Sequence, residues 1–204
     1  MNTAISSGHI PILGLILAGG ESKRMGEDKS ALCYHHKDQA HYLFDLVSSF
    51  CDRAYVSCRS EQKTLPHLRD LPNIVDRYAL GPLGGILSAF EFNPKAIWLV
   101  VACDLPYISA ATLKELFQGH DPDKLATAFI NLEKNWPEPL CTLYSPKFYP
   151  LLKEYLAEGI KCPRRILTLC QNAIKSLVPQ DSQWLKNFNT KEEKNEFLGP
   201  PPMV

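Results

Sequence analysis

LGLILAGGESKRMGEDKSA, from Leu13 to Ala31, joins a short apolar run to two glycines and then to a basic, polar loop. Leu13, Leu15, Ile16 and Leu17 form a run of strand length that is near-continuous rather than alternating. That is the pattern of a strand covered on both faces in a parallel sheet. Ala18, Gly19 and Gly20 then provide a sharp exit, because residues with little or no Cβ let backbone N–H groups approach an anion closely and tolerate positive φ. Ser22, Lys23, Arg24, Met25, Gly26, Asp28 and Lys29 follow, so cations stand within one loop of those amides. A polyphosphate suits such a place. Neither the Walker pattern G-x-x-x-x-G-K-[ST] nor the dinucleotide fingerprint G-x-G-x-x-G occurs there.

Outward from this stretch, the chain has the size of one domain, 204 residues, enough to bury a core without disulfide staples. Lys plus Arg and Asp plus Glu are 22 each. The balance implies no general attraction to nucleic acid or to a membrane surface, so anion binding must be local. Seven cysteines occur with no C-x-x-C pair, which points to buried, inert thiols in a reducing cytosol. The first residues carry no positive leader region and no apolar stretch reaches the length of a membrane span, so a cytoplasmic protein is expected. His35, His36 and His41 cluster without Cys or carboxylates at ligand spacing, and are read as loop and helix-surface residues.

Leu43, Leu46, Val47 and Phe50 lie at i, i+3, i+4, i+7, one stripe of an amphipathic helix. Arg53 to Cys58 and Asn73 to Val75 read as the next strands, the latter ending at Asp76. This β-α-β order predicts a mainly parallel sheet with right-handed crossovers. Ligands bind at the carboxyl ends of such strands, where the Gly-Gly loop, Arg59 and Asp76 all fall. GPLGGILSAFE, residues 81 to 91, opens a helix at Pro82 and repeats the apolar stripe with Leu83, Ile86, Leu87 and Phe90. AIWLVVA, Ala96 to Ala102, is the most apolar run and predicts a central strand delivering Cys103, Asp104, Leu105 and Pro106. A carboxylate at the end of a buried strand is costly without a positive partner, and magnesium on nucleotide phosphates is a natural one.

Ser109 caps a predicted helix over Ala110 to Phe117. Leu125 to Leu132 and Leu140 to Tyr144 read as two strands joined by a loop, Glu133 to Pro139, that carries Trp136. Lys147 to Ala157 reads as a helix closed by Gly159, and Pro163, Arg164 and Arg165 open another. Two arginines at a helix start oppose the dipole, which hints at an anion nearby. Asn189 or Thr190 can cap a last helix, with Glu192 or Glu193 reaching back.

Over L-A-G-G-x-S-x-R-M-G-x-D-K the opening stretch resembles the signature loop of nucleotidyltransferases, and within them most closely that of the molybdenum cofactor guanylyltransferases. G-P-L-G-G, C-D-L-P and N-F-N-T-K-E-E resemble further segments of that family in the same order. The resemblance implies a single three-layer α/β/α domain over 1–204, its core about 12–195, with a mainly parallel, Rossmann-like sheet of the nucleotide-diphospho-sugar transferase type. It implies transfer of GMP from GTP to the phosphate of molybdopterin, release of pyrophosphate, Mg²⁺ as cofactor and transient contacts with cofactor assembly proteins. Arg24, Lys29 and Asp104 are then the catalytic residues, with Asp104 on the metal. Leu17, Ala18, Gly19, Gly20, Lys29, Asp76, Gly81, Pro82, Gly85, Asp104, Asn187 and Asn189 are the nucleotide-binding set. Pro137-Glu138-Pro139-Leu140 resembles a family segment that borders the pterin site, so Trp136 becomes a wall for the acceptor, and the anion that the dipole argument sets beside Arg164 and Arg165 is read as the acceptor phosphate. Arg59 stands where several members carry an asparagine near the nucleotide, so CTP stays open beside GTP, as do other small phosphate acceptors. A non-catalytic carrier that binds nucleotide is the reading from outside the enzymes.

Overall fold

The structure, a computed structural model, describes residues 10–19 and 28–188. Ile12–Leu17 (β1) runs parallel to Arg53–Cys58 (β2) on one side and to Ile97–Ala102 (β4) on the other. β2 pairs in turn with Asn73–Val75 (β3), again parallel. Ala126–Asn131 (β5), Trp136–Tyr144 (β6) and Lys175–Leu177 (β7) complete a seven-stranded sheet of order β3-β2-β1-β4-β6-β5-β7. β6 runs antiparallel to both β4 and β5, and the other pairings are parallel. Leu17 stands opposite Ser57 and Ala102, so the adjacent strands β2, β1 and β4 finish at about one level.

Both faces are covered. Gln39–Ser48 (α1) and Ala110–Gln118 (α3) pack on one side, where Leu43, Val47, Leu113 and Leu116 meet Ile16, Val56, Leu99 and Val101. Pro82–Phe92 (α2), Phe148–Ala157 (α4) and Pro163–Leu169 (α5) cover the other, where Leu83, Ile86, Phe90, Leu152 and Ile166 meet Leu15, Trp98 and Val100. Consecutive residues of β1 and β4 thus enter opposite cores, which is why those strands read as unbroken apolar runs. Each fully buried Leu, Ile, Val or Phe contributes about 1.5–3 kcal/mol relative to exposure. Trp98 is fully buried, and its indole N–H donates to the Asn93 carbonyl at 3.1 Å.

Three expectations change. Trp136 to Pro139 belong to β6, not to a loop, and the turn shrinks to residues 132–135 with Asn135 at φ +50°. Pro137 stands opposite Ile130 beside an irregularity in register between Ala128 and Ile130. A proline, which cannot donate to a ladder, is tolerated at such irregularities. β7 is a further strand in a polar segment, with two of its three residues exposed. Among the thiols, Cys58, Cys103, Cys141 and Cys170 are buried, but Cys33 and Cys162 are exposed. The expected final helix from Asn189 onward lies outside the described residues.

Candidate active site

Backbone hydrogen bonds draw the strand ends together. Ala18 N–H donates to the Ser57 carbonyl at 3.0 Å, Cys103 N–H to Leu17 at 3.2 Å and Asp76 N–H to Cys58 at 2.9 Å. The exits of β1, β2, β3 and β4 are thereby fixed against one another. A Cβ on Gly19 would lie 3.6 Å from the Cys58 Cα and 3.7 Å from the Arg59 nitrogen, so the chain leaves β1 along the backbone that leaves β2.

Lys29 begins a 3-10 turn, Lys29–Ala31, capped by Asp28, whose carboxylate accepts from the Ser30 N–H at 3.0 Å. At the far side stands the N-terminus of α2. Gly81 precedes it at φ +61°, a backbone state suited to glycine, and Pro82 occupies its first turn. A Cβ on Gly85 would lie 2.6 Å from Ser57 Oγ and 2.7 Å from Leu17 Cδ2, and one on Gly84 would fall 2.6 Å from Asp76 Oδ2. The double glycine therefore lets the helix start approach β1, β2 and the Asp76 carboxylate. Asp76 Oδ1 also accepts from the Tyr78 N–H at 2.8 Å.

Asp104 follows β4. Its Oδ1 is covered and has no hydrogen-bond partner among the described residues, although the residue as a whole is half-buried. Burial raises its carboxyl above the ordinary value, opposed by the Lys29 ammonium and by a backbone hydrogen bond. Burial likewise drives the Cys103 thiol well up, which makes it a poor nucleophile.

These elements enclose a cleft of about 170 Å³, lined by Leu17, Ala18, Gly19, Lys29, Ser57, Asp76, Gly81, Pro82, Gly85, Ala102, Cys103, Asp104 and Leu140. Nine of the residues expected from sequence thus meet around one space: Leu17, Ala18, Gly19, Lys29, Asp76, Gly81, Pro82, Gly85 and Asp104. Gly20, Arg24 and Asn189 lie outside the described residues. Asn187 lines an adjoining groove instead of the cleft. Its neighbour Phe188 is tied to a residue of the cleft, donating its N–H to the Asp104 carbonyl at 2.9 Å.

The adjoining groove shares Pro82 and Leu140 with the cleft and carries Trp136, Glu138, Arg164 and Asn187. The Arg164 guanidinium lies 4.0 Å from the centre of the Trp136 ring, and Lys134 Nζ lies 5.5 Å from it. Arg165 is exposed and outside the groove lining. Glu138 is 6% exposed and accepts from the Leu140 N–H at 3.0 Å. Its carboxyl is pushed up to about 7, chiefly by burial and further by the charge of Asp104, against the pull of that hydrogen bond, Arg164 and Lys134. Asn187 Oδ1 is buried without a partner among the described residues.

Ser57 was not expected from the sequence, whereas Glu138 and Leu140 belong to the segment read as bordering the acceptor site. Ser57 is a lone small polar residue at the end of an apolar strand, and Glu138 a carboxylate between two prolines in one; both were readable signals. His35 turns its Nε2 to the Pro106 carbonyl at 2.8 Å and stacks on Tyr42, which places it beside the segment after Asp104. Among the described residues no group of three or more His, Cys, Asp or Glu side chains is arranged to hold a metal, so a cation here depends on Asp104 and on oxygen atoms of a ligand and water. The covered, unpartnered Asp104 Oδ1 at the cleft suits that role.

A profile of the MobA-like NTP transferase domain matches residues 14–175. The molybdenum cofactor biosynthesis bifunctional protein of Synechocystis sp. is 35% identical over 92% of this chain and 54% of its own length, so the chain spans about half of that relative. The probable molybdenum cofactor guanylyltransferase of Synechococcus elongatus is 31% identical over 86% of this chain and 92% of its own. Among solved structures, molybdopterin-guanine dinucleotide biosynthesis protein A from Archaeoglobus fulgidus superposes with a TM-score of 0.72 at 20% identity, covering 91% of this chain and 96% of that one. That likeness establishes the three-layer nucleotidyltransferase fold. With its strand ends, glycine turns and terminal carboxylate in that arrangement, the chain belongs to the MobA-like NTP transferase family.

Proposed function

We propose that this protein transfers GMP from GTP to the phosphate of molybdopterin, releasing pyrophosphate, with Asp104 holding Mg²⁺. The observation that carries the reading is the meeting of Gly19, Lys29 and Asp104 around one cleft that opens into a second, aromatic and cationic groove. Family membership and the names of the relatives support the choice of substrates.

In the reaction an oxygen of the acceptor phosphate bonds to the α-phosphorus of GTP. The bond from that phosphorus to the bridging oxygen breaks, and its electrons leave with pyrophosphate. Such chemistry rests on position and charge more than on covalent help from the protein, so no side-chain nucleophile is needed. Backbone groups of Ala18 and Gly19 face the nucleotide, and the α2 N-terminus adds its partial positive charge to the same space. Lys29 stabilises charge that grows on the departing phosphates. Mg²⁺ bound at Asp104 supplies positive charge to the phosphate oxygens. Asp76 contacts the nucleotide beside α2, Arg24 joins Lys29, and Asn189 belongs with the nucleotide set. In the adjoining groove Trp136 offers a flat face to the pterin ring, and Arg164 a cation to its phosphate. Seven free thiols suit the reducing cytoplasm in which the reaction is placed.

The test is pyrophosphate release from each of the four common NTPs with purified molybdopterin, with and without Mg²⁺. Release with GTP that requires both acceptor and ion is expected. Preference for CTP would keep the chemistry and change the product, whereas tight GTP binding without release would overturn the transfer itself.

A further inference from the structure

Gly19 and Asp28 are both met by one buried side chain, Gln62, from the 3-10 turn Ser60–Gln62 that follows β2. Gln62 Oε1 accepts from the Arg59 N–H at 3.0 Å, and a Cβ on Gly19 would lie 3.7 Å from that same oxygen. The Gln62 amide nitrogen donates to Asp28 Oδ2 at 3.4 Å. Asp28 Oδ1 is taken by Ser30, whose N–H lies at 3.0 Å and whose hydroxyl lies at 2.6 Å. Ser30 is fully buried, and its oxygen also sits 2.9 Å from His67 Nε2.

The proton count fixes the roles. A carboxylate can only accept, so the single Ser30 hydroxyl proton goes to Asp28. The Ser30 oxygen must then accept from His67, which requires a proton on Nε2. Neutral and charged imidazole both meet that requirement, and Nε2 also lies 3.7 Å from Asp28 Oδ2. His67 is held in turn by its neighbour Leu68, which is fully buried in the core beneath α1.

Lys29 lies between the two residues so fastened and lines the cleft, whereas neither Gln62 nor His67 does. We propose that Gln62 and His67 are positioning residues for Lys29, acting through Asp28 and Ser30 to hold its ammonium where the triphosphate binds. The inference rests on the reading that this cleft binds a nucleoside triphosphate.

The test uses GTP binding by calorimetry at a temperature below every unfolding midpoint, so that it needs no acceptor. His67→Ala is expected to weaken GTP binding by about tenfold. His67→Gln, which keeps an N–H at comparable reach from the backbone, is expected to restore most of that loss. In the cycle with Lys29→Ala, the double variant Lys29→Ala/His67→Ala should bind as Lys29→Ala does, because His67 acts only through that lysine. Additive losses, an unrescued His67→Gln, or wild-type affinity in a His67→Ala protein that merely melts earlier would each overturn the assignment. Wild-type protein that binds no GTP would overturn it together with the cleft's reading. Binding without transfer would overturn the proposed reaction and leave the positioning role standing.

Discussion

Asp104 and Glu138 are two buried carboxyls near one another that the fold treats differently. Asp104 has an oxygen without a partner and a cation, Lys29, acting on it; Glu138 has its oxygen on a backbone N–H. Asp104→Asn keeps the shape and removes the charge. Because burial disfavours the ionised form, the variant is expected to melt no lower than wild type at neutral pH while losing at least about a hundredfold in Mg²⁺-dependent turnover. Thermal denaturation and an Mg²⁺ titration of turnover check both halves, and unchanged turnover would remove Asp104 from the metal. For Glu138 the folded state binds its proton up to about pH 7, whereas the unfolded chain releases it near 4.5. Its contribution to stability is full below the lower value and is lost as pH rises through the upper one, a swing on the order of 3 kcal/mol. In Mg²⁺-free urea titrations Glu138→Gln should flatten the decline in stability of the wild type between those pH values. A variant with the same slope as wild type would show that Glu138 is not the group responsible.

At the scale of elements, the start of α2 shows how glycine serves contact more than flexibility. Gly84 sits where a methyl group would enter the Asp76 carboxylate. Alanine is worth about 1 kcal/mol over glycine in a helix interior, but inserting an atom into a packed contact costs about 1–3 kcal/mol. The clash wins. Gly84→Ala should therefore lower stability by up to about 2 kcal/mol and weaken nucleotide binding, read by urea denaturation and GTP titration. A stabilised variant would mean that Asp76 moves freely. G-P-L-G-G was legible as a helix start because Pro82 and the apolar stripe agree, and because the helix needs no distant partner to begin. β6 was not legible over its first residues. Two prolines and a glutamate contradict strand propensity locally. β4 pairs only with Cys141 to Tyr144, while Asn131 and Ile130 of β5 hold Trp136 and Pro137 in the ladder. β7 has the same cause: Lys175 and Ser176 carry no apolar pattern, and Thr127 and Ala128 across the ladder place them.

Across the molecule, sequence revealed the cleft because its parts follow apolar strands, which order themselves by burial. It did not reveal the adjoining groove in full, since Arg164 is brought to Trp136 and Glu138 of β6 only by the packing of α5, which comes later along the chain. Nor did it show that Asn187 and Phe188 take different neighbours. Phe188 is 1% exposed, with its ring 5.9 Å from that of Tyr34 and 5.5 Å from that of Tyr107. Tyr34 comes after the signature stretch and Tyr107 after Asp104, so one side chain near the end of the described chain joins both sides of the site. Its N–H fixes the Asp104 carbonyl as well. Phe188→Ala opens a cavity between those rings and is expected to cost about 3–5 kcal/mol, whereas Phe188→Leu retains most of the volume and should cost less. Because the hydrogen bond uses backbone, only the variant that lets the segment withdraw can release Asp104. Phe188→Ala should then require more Mg²⁺ for half-maximal turnover, with Phe188→Leu close to wild type. Loss of stability with no change in Mg²⁺ requirement would confine Phe188 to the core and leave Asp104 held by β4 alone.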